Sequence, residues 1–441
     1  MITKNKNQRI CIFGMGFVGL TLSIVLAEKG FNIIGLEKNK LILKNLKKFK
    51  SQLFEPNIDN RLKKIIKKKK LILSSKLNKK LASDVYIITV GTPLNNKKKS
   101  NLKMINMVSN EICKFLKNDD HIILRSTVKV GTTQKLCETF FNKRKIRYTI
   151  GFCPERTIEG NALNELEYLP QIISGNTKQS IIKSKKIFGH LNKNFTQVKN
   201  FKTAEMIKLI DNMQRDVKFA LSNEVAQICE LLNINVNQVI RLGKKNYPRT
   251  NLFDPGPVGG PCLEKDTYIL KDSLNNKYNP IIALSSRQLN ENLIKNAVKK
   301  IKNLSLINQI NIKKKIKIVI CGLAFKGFPK TNDMRGSTVY PLIYELKKNF
   351  KNFKIYGHDE LVDQKYFYSL KIQKIKKIID IFNQTDLLII HNNNPLYKKI
   401  LSIQNISTMS SGSLIYDFWN NYEEKFSIKN RNINYYSLGN I

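Results

Sequence analysis

The sequence predicts an α/β protein with two doubly wound, parallel-sheet domains joined by a long central helix in a helical middle domain. Three observations support this fold class. Apolar residues 10–13 run into the glycine pattern GMGFVG. Residues 202–232 place apolar side chains at helical spacing without proline or glycine. A second apolar strand and glycine-containing turn, KIVICGLAFKG, begin at Lys317. We expect domains at 1–198, 199–306 and 313–441, with a linker at Lys313–Lys315.

The first glycine turn has the pattern of a Rossmann-type dinucleotide site. Gly14 permits the tight turn, Gly16 lets the backbone approach a pyrophosphate, and Gly19 lets the helix pack closely on the strand. Glu37 ends the next strand, where an acid binds the adenosine ribose hydroxyls and disfavours a 2′-phosphate. The pattern therefore predicts NAD, although Lys38 leaves NADP as an alternative.

Two further strands continue the doubly wound pattern. Val85–Val90 is followed by a turn containing Thr92, and His121–Leu124 by a loop containing Thr127. Ligands of open parallel sheets bind at these carboxyl ends, so both threonines are candidate site residues. A plain turn is the alternative for each loop.

Polar side chains gather at two other places. The strand Tyr148–Phe152 leads into CPERTIEG, which carries Glu155 and Glu159. Either glutamate could instead be a solvated residue at the start of a helix. One face of the central helix is polar, and a solvated surface is the default interpretation of such a face; its members are Glu205, Lys208, Asn212 and Arg215.

The stretch LFDPGPVGGPCLEKD holds Cys262 in an irregular loop rich in proline and glycine. Lys265 and Asp266 fall in the first turn of the helix predicted to follow. A helix N-terminus and a nearby ammonium both lower the pKa of a thiol, so Cys262 is a candidate nucleophile. The seven cysteines form no CxxC pair and there are four histidines, so we expect no metal site.

The net charge of +44, from 77 basic and 33 acidic residues, raises the alternative of a nucleic-acid-binding protein. The lysines are spread over the whole chain, which favours a compositional bias. No apolar run approaches the roughly 20 residues that span a bilayer. The N-terminus has no long apolar signal region. We expect a cytoplasmic protein with neither membrane nor nucleic-acid partners.

Together the motifs resemble the UDP-glucose/GDP-mannose dehydrogenase family over nearly the whole chain and in the same order. The CPERTIEG loop and YPRTNLFDPGPVGGPC are most similar to members that act on UDP-N-acetylhexosamines such as UDP-N-acetylmannosamine; UDP-glucose is the alternative substrate. A two-electron enzyme of the 6-phosphogluconate type is a weaker alternative, because it needs neither the cysteine loop nor a second nucleotide-binding domain. The matching motifs are GMGFVGL (14–20), FEP (54–56), VGTP (90–93), STVKVGTT (126–133), CPERTIEG (153–160), AEMIKLIDN (204–212), GGPCLEKD (259–266) and GLAFKG with NDMRGS (322–337).

The resemblance implies NAD-dependent, four-electron oxidation of a nucleotide sugar to a uronate, for polysaccharide precursor supply. The three domains would bind NAD, form the dimer and bind the UDP-sugar. Cys262 would be the nucleophile, Lys208 and Asn212 would stabilise the oxyanion, and Asp266 and Thr127 would hold water; Glu155, Lys208 or water would take the first proton. Arg249 would reach a neighbouring subunit's site, which implies a homodimer or larger oligomer. The implied cofactor-binding residues are Gly14, Gly16, Phe17, Val18, Gly19, Glu37, Thr92, Thr127 and Lys265; the implied substrate-binding residues are Glu155, Arg156, Glu159, Lys208, Asn212, Arg249, Gly259, Lys326 and Arg335.

Overall fold

The computed structural model describes residues 8–308, 310, 315–421, 427–428 and 433–440. The chain forms two compact units, and each is considered by itself. Unit 1 comprises Met1–Asn212 and Lys265–Asn279, and unit 2 comprises Met213–Glu264 and Pro280–Ile441. Of the linker predicted at Lys313–Lys315, residues 313–314 lie outside the described residues.

Unit 1 is built on an eight-stranded sheet with helices between its strands. The strand order is β3-β2-β1-β4-β5-β6-β7-β8. Its elements are β1 (Arg9–Phe13), α1 (Phe17–Glu28), β2 (Asn32–Leu36), α2 (Lys40–Lys47), α3 (Ile58–Lys67), β3 (Leu71–Ser74), β4 (Val85–Ile88), α4 (Lys103–Cys113), β5 (His121–Leu124), α5 (Thr132–Leu136), β6 (Thr149–Phe152), α6 (Ala162–Tyr168), β7 (Gln171–Gly175), α7 (Lys178–Phe188) and β8 (Phe195–Gln197).

This sheet confirms the doubly wound fold with one departure. Strands β1 to β6 pair in parallel, whereas β7 runs antiparallel to β6, with Gly151 opposite Gly175. Every residue of β4 and β5 is buried, as expected for strands covered by helices on both faces. The carboxyl ends of the parallel strands therefore meet at one edge, where the predicted loops lie.

Four helices follow, and two of them run from one unit into the other. They are α8 (Phe201–Leu231), α9 (Val236–Lys244), α10 (Leu263–Ser273) and α11 (Ile281–Ile307). The central helix was predicted over 202–232 and is confirmed within a residue at each end. The unit boundary falls within α8 and within α10, so Cys262 belongs to unit 2 and Asp266 to unit 1.

The rest of unit 2 is a second doubly wound sheet, which confirms the prediction. Its strand order is β11-β10-β9-β12-β13-β15-β14, parallel except for the last, short strand. None of the helices in the described part of the chain has the length and apolarity needed to cross a bilayer. The elements are β9 (Ile316–Cys321), α12 (Val339–Asn349), β10 (Phe353–His358), α13 (Gln364–Leu370), β11 (Gln373–Lys374), β12 (Leu387–Ile390), α14 (Pro395–Ile400), α15 (Ile403–Ile406), β13 (Leu414–Asp417), β14 (Ser427–Ile428) and β15 (Ile433–Ser437).

Candidate active site

The glycine turn after β1 is closely packed at Gly14 and Gly19 and open at Gly16. Gly14 has φ +92°, a conformation that favours glycine. A Cβ on Gly19 would lie 1.9 Å from the carbonyl oxygen of Gly14, whereas one on Gly16 would meet no atom within 4 Å. Gly16 precedes α1, and Phe17 and Val18 are its first two residues, whose N–H groups have no partner within the helix. The open N-terminus of this helix fits a pyrophosphate.

Glu37 is tied to the same turn. Its Oε2 accepts a hydrogen bond from Met15 N at 3.0 Å and its Oε1 accepts one from Asn39 N at 2.8 Å. Lys38 is directed elsewhere, because its Nζ lies 3.5 Å from Glu111 Oε2 on α4. A carboxylate anchored at the end of β2 suits the ribose hydroxyls of NAD.

A groove with a volume of about 1000 Å³ lies next to Lys38 in unit 1. Seven of its fourteen lining residues are lysines, and Glu111 is its single acid. Part of the large positive charge is therefore concentrated near the adenosine end of the predicted cofactor site. Such a field raises the local concentration of anionic cofactors.

The loops after β4 and β5 are joined to each other. Thr92 Oγ1 donates to Thr127 O at 2.6 Å, and Ser126 Oγ donates to Val90 O at 2.7 Å. Thr92 is buried and Thr127 is half-buried. Both threonines thus lie where the sequence predicted, at the carboxyl edge of the sheet.

Glu205 holds the loop that follows Thr127. Its carboxylate accepts hydrogen bonds from Gly131 N at 2.6 Å, Thr133 N at 2.8 Å and Thr133 Oγ1 at 2.6 Å. Burial raises the pKa of Glu205, and these three donors oppose the rise. The sequence indicated a solvated side chain, which is wrong because Glu205 is fully buried. A buried carboxylate aimed at a loop 72 residues away leaves no local signal.

Glu155 forms a buried ion pair with Arg125. Arg125 Nε and Nη2 donate to Glu155 Oε2 at 3.1 and 2.5 Å, while the backbone N–H groups of Arg156 and Thr157 donate to Oε1 at 2.8 and 3.0 Å. Burial raises the pKa of Glu155, but Arg125 and the two backbone donors more than offset it, and the pKa lies below its ordinary value. Both oxygens are engaged, so Glu155 is a poor proton acceptor.

The other polar residues of this loop are also held in place. Arg156 Nη2 donates to Pro170 O at 2.5 Å, and its Nη1 lies 3.7 Å from Asp211 Oδ2. Glu159 is buried. Glu55, the acid of the FEP motif, accepts hydrogen bonds from Gly160 N at 2.5 Å and Ala162 N at 3.1 Å. The FEP turn therefore fixes the end of the loop and the start of α6.

Three candidate residues of unit 1 meet on α8 and α10. Asn212 Nδ2 donates to Asp266 Oδ2 at 2.5 Å, and Lys265 Nζ donates to Asp266 Oδ1 at 2.8 Å. Lys208, one turn before Asn212 on α8, is buried, and its ammonium has no hydrogen-bond or ion-pair partner among the described residues of unit 1. The prediction of a solvated polar face on α8 is thus wrong for Lys208 and Asn212. Of the four residues predicted on that face, only Arg215 is exposed.

Cys262 differs from the other cysteines of the chain. It is exposed directly before α10, whereas the other six are buried. Burial raises the pKa of the Cys153 thiol to about 12 and that of Cys137 to about 11. Cys262 is therefore the thiol most accessible to a reaction partner.

Backbone contacts within unit 2 clamp the loop before Cys262. Gly260 has φ +97° and donates its N–H to Gly336 O at 2.8 Å. A Cβ on Gly259 would lie 2.2 Å from that oxygen, and one on Gly260 would lie 2.5 Å from the Phe325 ring. The loop thus packs against the segment 325–336.

That segment carries two predicted substrate-binding residues. Lys326 directly follows Phe325 and Arg335 directly precedes Gly336. The guanidinium of Arg335 lies on Asp333, with Nε 2.9 Å from Oδ2, and its side chain is 58% exposed. Arg249 is not brought to this cluster: it is exposed, 5.8 Å from the Tyr247 ring centre, and no described hydrogen bond or ion pair of unit 2 joins it to Lys326 or Arg335.

Comparison with known proteins agrees with this arrangement. The NAD binding domain of the UDP-glucose/GDP-mannose dehydrogenase family matches residues 8–192, the central domain matches 202–292 and the UDP binding domain matches 319–424. The chain belongs to this family. Membership confirms the resemblance, an oxidoreductase activity and NAD as the cofactor. The three matched domains also argue against the 6-phosphogluconate-type alternative.

Individual relatives of this dehydrogenase cover almost all of it. The UDP-N-acetyl-D-mannosamine dehydrogenase of Methanocaldococcus jannaschii is 31% identical over 418 residues, 93% of this chain and 92% of that protein. The solved structure of the corresponding enzyme from Pyrococcus horikoshii has a TM-score of 0.85 at 25% identity and covers 98% of this chain and 99% of that one. The Staphylococcus aureus UDP-N-acetyl-mannosamine dehydrogenase has a TM-score of 0.82 at 27% identity, with 98% of each chain covered.

Proposed function

We propose that this dehydrogenase oxidises C6 of UDP-N-acetylmannosamine to the carboxylate with two NAD⁺. The observation that carries the proposal is Cys262, an exposed thiol in a loop clamped by glycines directly before a helix, in a chain whose other six cysteines are buried. The relatives named for UDP-N-acetylmannosamine support the choice of sugar. A thiol so placed serves the second oxidation, since a two-electron alcohol dehydrogenase needs no covalent intermediate.

The reaction balances as R–CH₂OH + 2 NAD⁺ + H₂O → R–COO⁻ + 2 NADH + 3 H⁺. Bound NAD⁺ would supply the hydride acceptor for C6 in each of the two oxidations. The Cys262 thiolate adds to the aldehyde carbon and gives a thiohemiacetal, and loss of hydride from that carbon leaves a thioester. Water then cleaves the carbon–sulfur bond and releases the carboxylate and the thiol. The aldehyde is held covalently between the oxidations.

Lys208 and Asn212 suit the oxyanion that forms on C6. The ammonium of Lys208 has no partner among the described residues of unit 1, so its donors are available to a developing negative charge. Asn212 donates one amide hydrogen to Asp266, and its other amide hydrogen is available to the oxyanion on C6. Asp266 thereby orients Asn212, and we assign it to hold water in the hydrolysis step together with Thr127.

Glu155 receives a different role from the general base that the resemblance allowed. Its pairing with Arg125 and its lowered pKa favour a positioning role, in which it orients Arg156 and Thr157. Both residues lie in the CPERTIEG loop, residues 153–160, which we call the substrate loop. Water then takes the first proton, because the ammonium of Lys208 has no lone pair with which to accept one. Arg156, Glu159, Gly259, Lys326 and Arg335 stay as proposed substrate contacts, and Lys265 as a proposed cofactor contact.

We further propose a homodimer or larger oligomer in the cytoplasm. Several large apolar side chains of α8 and α9 in unit 2 are exposed, among them Leu231 at 85% and Leu242 at 57%. An apolar surface of this kind fits a second copy of the chain, to which Arg249 would contribute. The seven cysteines form no disulfide, which suits a reducing compartment.

The test is a panel of UDP-sugars with NAD⁺, in which NADH is followed by absorbance and the product by mass spectrometry. We expect two NADH and one uronate for each UDP-N-acetylmannosamine. UDP-N-acetylglucosamine, UDP-N-acetylgalactosamine and UDP-glucose should give lower kcat/KM. The Cys262→Ala variant should form no uronate. A preference for another sugar would overturn the substrate assignment, and uronate from the alanine variant would overturn the role of the thiol.

A further inference from the structure

A buried polar cluster in unit 2 joins α8 to α11. Arg287 on α11 is 2% exposed, and its Nη1 donates to Asp216 Oδ1 on α8 at 2.9 Å. Asp216 is 1% exposed, so each ion compensates a charge that would otherwise be costly to bury. Glu291 adds a second carboxylate, 3.6 Å from Arg287 Nε. The hydrogen bond to Asp216 holds the guanidinium in position, and Glu291 adds a longer-range ion pair.

The same guanidinium contacts the cysteine loop on both sides of Cys262. Arg287 Nη1 donates to Leu263 O at 3.1 Å, directly after the cysteine, and Nη2 donates to Val258 O at 3.2 Å, four residues before it. A planar guanidinium can hold two carbonyl groups at a set separation, which a single ammonium cannot do. Arg287 therefore fixes the distance between the two ends of the segment that carries the thiol.

Asn223 on α8 holds Gly256, which lies two residues before Val258 in the same loop. Its Nδ2 donates to Gly256 O at 3.1 Å and its Oδ1 accepts from Gly256 N at 2.8 Å. Asn290 links Asn223 to Asp216, through hydrogen bonds of 2.9 and 2.8 Å. The loop contains three prolines, which have no N–H to donate, so it depends on outside partners for its shape. The buried cluster supplies them.

We infer that Arg287 is a positioning residue that holds Cys262 at the N-terminus of α10, where the thiolate is favoured and the sulfur can attack the aldehyde. The inference rests on the proposed function for the reaction that the thiol performs. The helix dipole acts over about one turn, so a displaced thiol loses its stabilisation. Arg287 itself touches neither substrate nor cofactor in this role.

The test compares Arg287→Lys and Asn223→Ala with a matched control, Lys300→Met. Lys300 is another partly buried cation of α11 that pairs with α8, through Glu230 at 2.5 Å, and it has no described contact with the cysteine loop. The Arg287→Lys substitution keeps the positive charge beside Asp216, but an ammonium cannot hold the carbonyl groups of Val258 and Leu263 at a set separation. Thiol reactivity is measured by iodoacetamide alkylation from pH 6 to 10, with the modified cysteine identified by mass spectrometry. Steady-state kinetics and thermal unfolding complete the set.

For Arg287→Lys we expect alkylation of Cys262 at pH 7 to slow by about tenfold and the inflection of its pH profile to rise by about one pH unit. The kcat for uronate should fall by about tenfold or more, while KM for NAD⁺ changes by less than about twofold. Asn223→Ala should change these quantities in the same direction, and Lys300→Met should lower the unfolding temperature alone.

One outcome would show that Arg287 is structural only. In that outcome, Arg287→Lys keeps the wild-type alkylation rate and kcat, and its unfolding temperature falls as much as that of Lys300→Met. Should Arg287→Lys fail to fold, Asn223→Ala decides by the same alkylation profile. If the wild type oxidises no UDP-sugar, the proposed function fails. The alkylation profile still reports the position of the thiol in that case.

Discussion

The ion pair between Arg125 and Glu155 gives the sharpest test of how the substrate loop works. Glu155→Gln keeps the shape of the side chain and one oxygen for the backbone donors, but it leaves Arg125 as an uncompensated charge. The two side chains are 1% and 8% exposed. Breaking such a buried pair costs about 3–5 kcal/mol, and we expect about 3 kcal/mol because the amide oxygen still accepts from Arg156 and Thr157.

The pH dependence of this cost has a definite sign. The pKa of Glu155 is lowered in the folded protein, so its contribution to stability is present above the ordinary carboxyl pKa of about 4.5 and is lost as the pH falls through the folded value. Urea unfolding followed by circular dichroism should show the full difference between wild type and Glu155→Gln at pH 7. That difference should narrow below about pH 4.5.

Kinetics then distinguish positioning from proton transfer. If Glu155 orients the loop, Glu155→Gln should raise KM for the UDP-sugar and leave the acidic limb of the kcat profile where it is. If Glu155 were the general base, kcat would fall by about 10²–10⁴ and the acidic limb would disappear. The second outcome, or a variant as stable as wild type at pH 7, would refute the interpretation.

Three further predictions concern other parts of the molecule. Gly19→Ala should abolish NAD⁺ binding in a calorimetric titration while UDP binding is kept, because its Cβ would lie 1.9 Å from Gly14 O; unchanged affinity for NAD⁺ would contradict the close packing of α1. Lys208→Met should lower kcat by about 10²–10³ with little effect on KM, as expected for the loss of one oxyanion donor; a pure KM effect would assign Lys208 to ground-state binding. Burial lowers the pKa of His121 to about 3 and that of His391 to about 4, so both stay neutral in the folded protein while the unfolded chain takes up protons near pH 6.5. The two histidines should therefore lower the unfolding free energy by about 3 kcal/mol from pH 7.5 to 5.5, about 1.4 kcal/mol each. Asp120, whose pKa burial raises to about 6, offsets about 1 kcal/mol of this fall, so urea titrations with a flat profile would contradict the prediction.

The two doubly wound sheets and the central helix could be predicted because their signals are local. Glycine spacing, apolar runs and a proline-free amphipathic stretch each lie within some 30 residues of chain. The reversed direction of β7 could not be predicted. Gln171–Gly175 is buried except for its last residue, so it lacks the alternation of polar and apolar residues that a half-exposed edge strand would show, and its sequence does not reveal its direction.

The predicted site residues were found by motif, but the groups that hold them were not. Arg125 lies 30 residues from Glu155, and Arg287 lies 71 residues from Asp216. On the polar face of α8, Glu205 and Arg215 look alike in sequence, yet one is fully buried and the other is exposed. What separates them is the presence of a loop or helix from elsewhere in the chain, which helical periodicity does not encode.

The hydrogen bond from Gly260 N to Gly336 O makes the cysteine loop observable by amide hydrogen exchange. This N–H is shielded only while the loop rests on the backbone that follows Arg335, and its exchange rate measures how often the two segments separate. Because this hydrogen bond joins two backbone groups, mutations on the solvent side of the loop should leave that rate unchanged. Deuterium uptake at the Gly260 amide would then measure, in the resting enzyme, the fraction of time the two segments are apart.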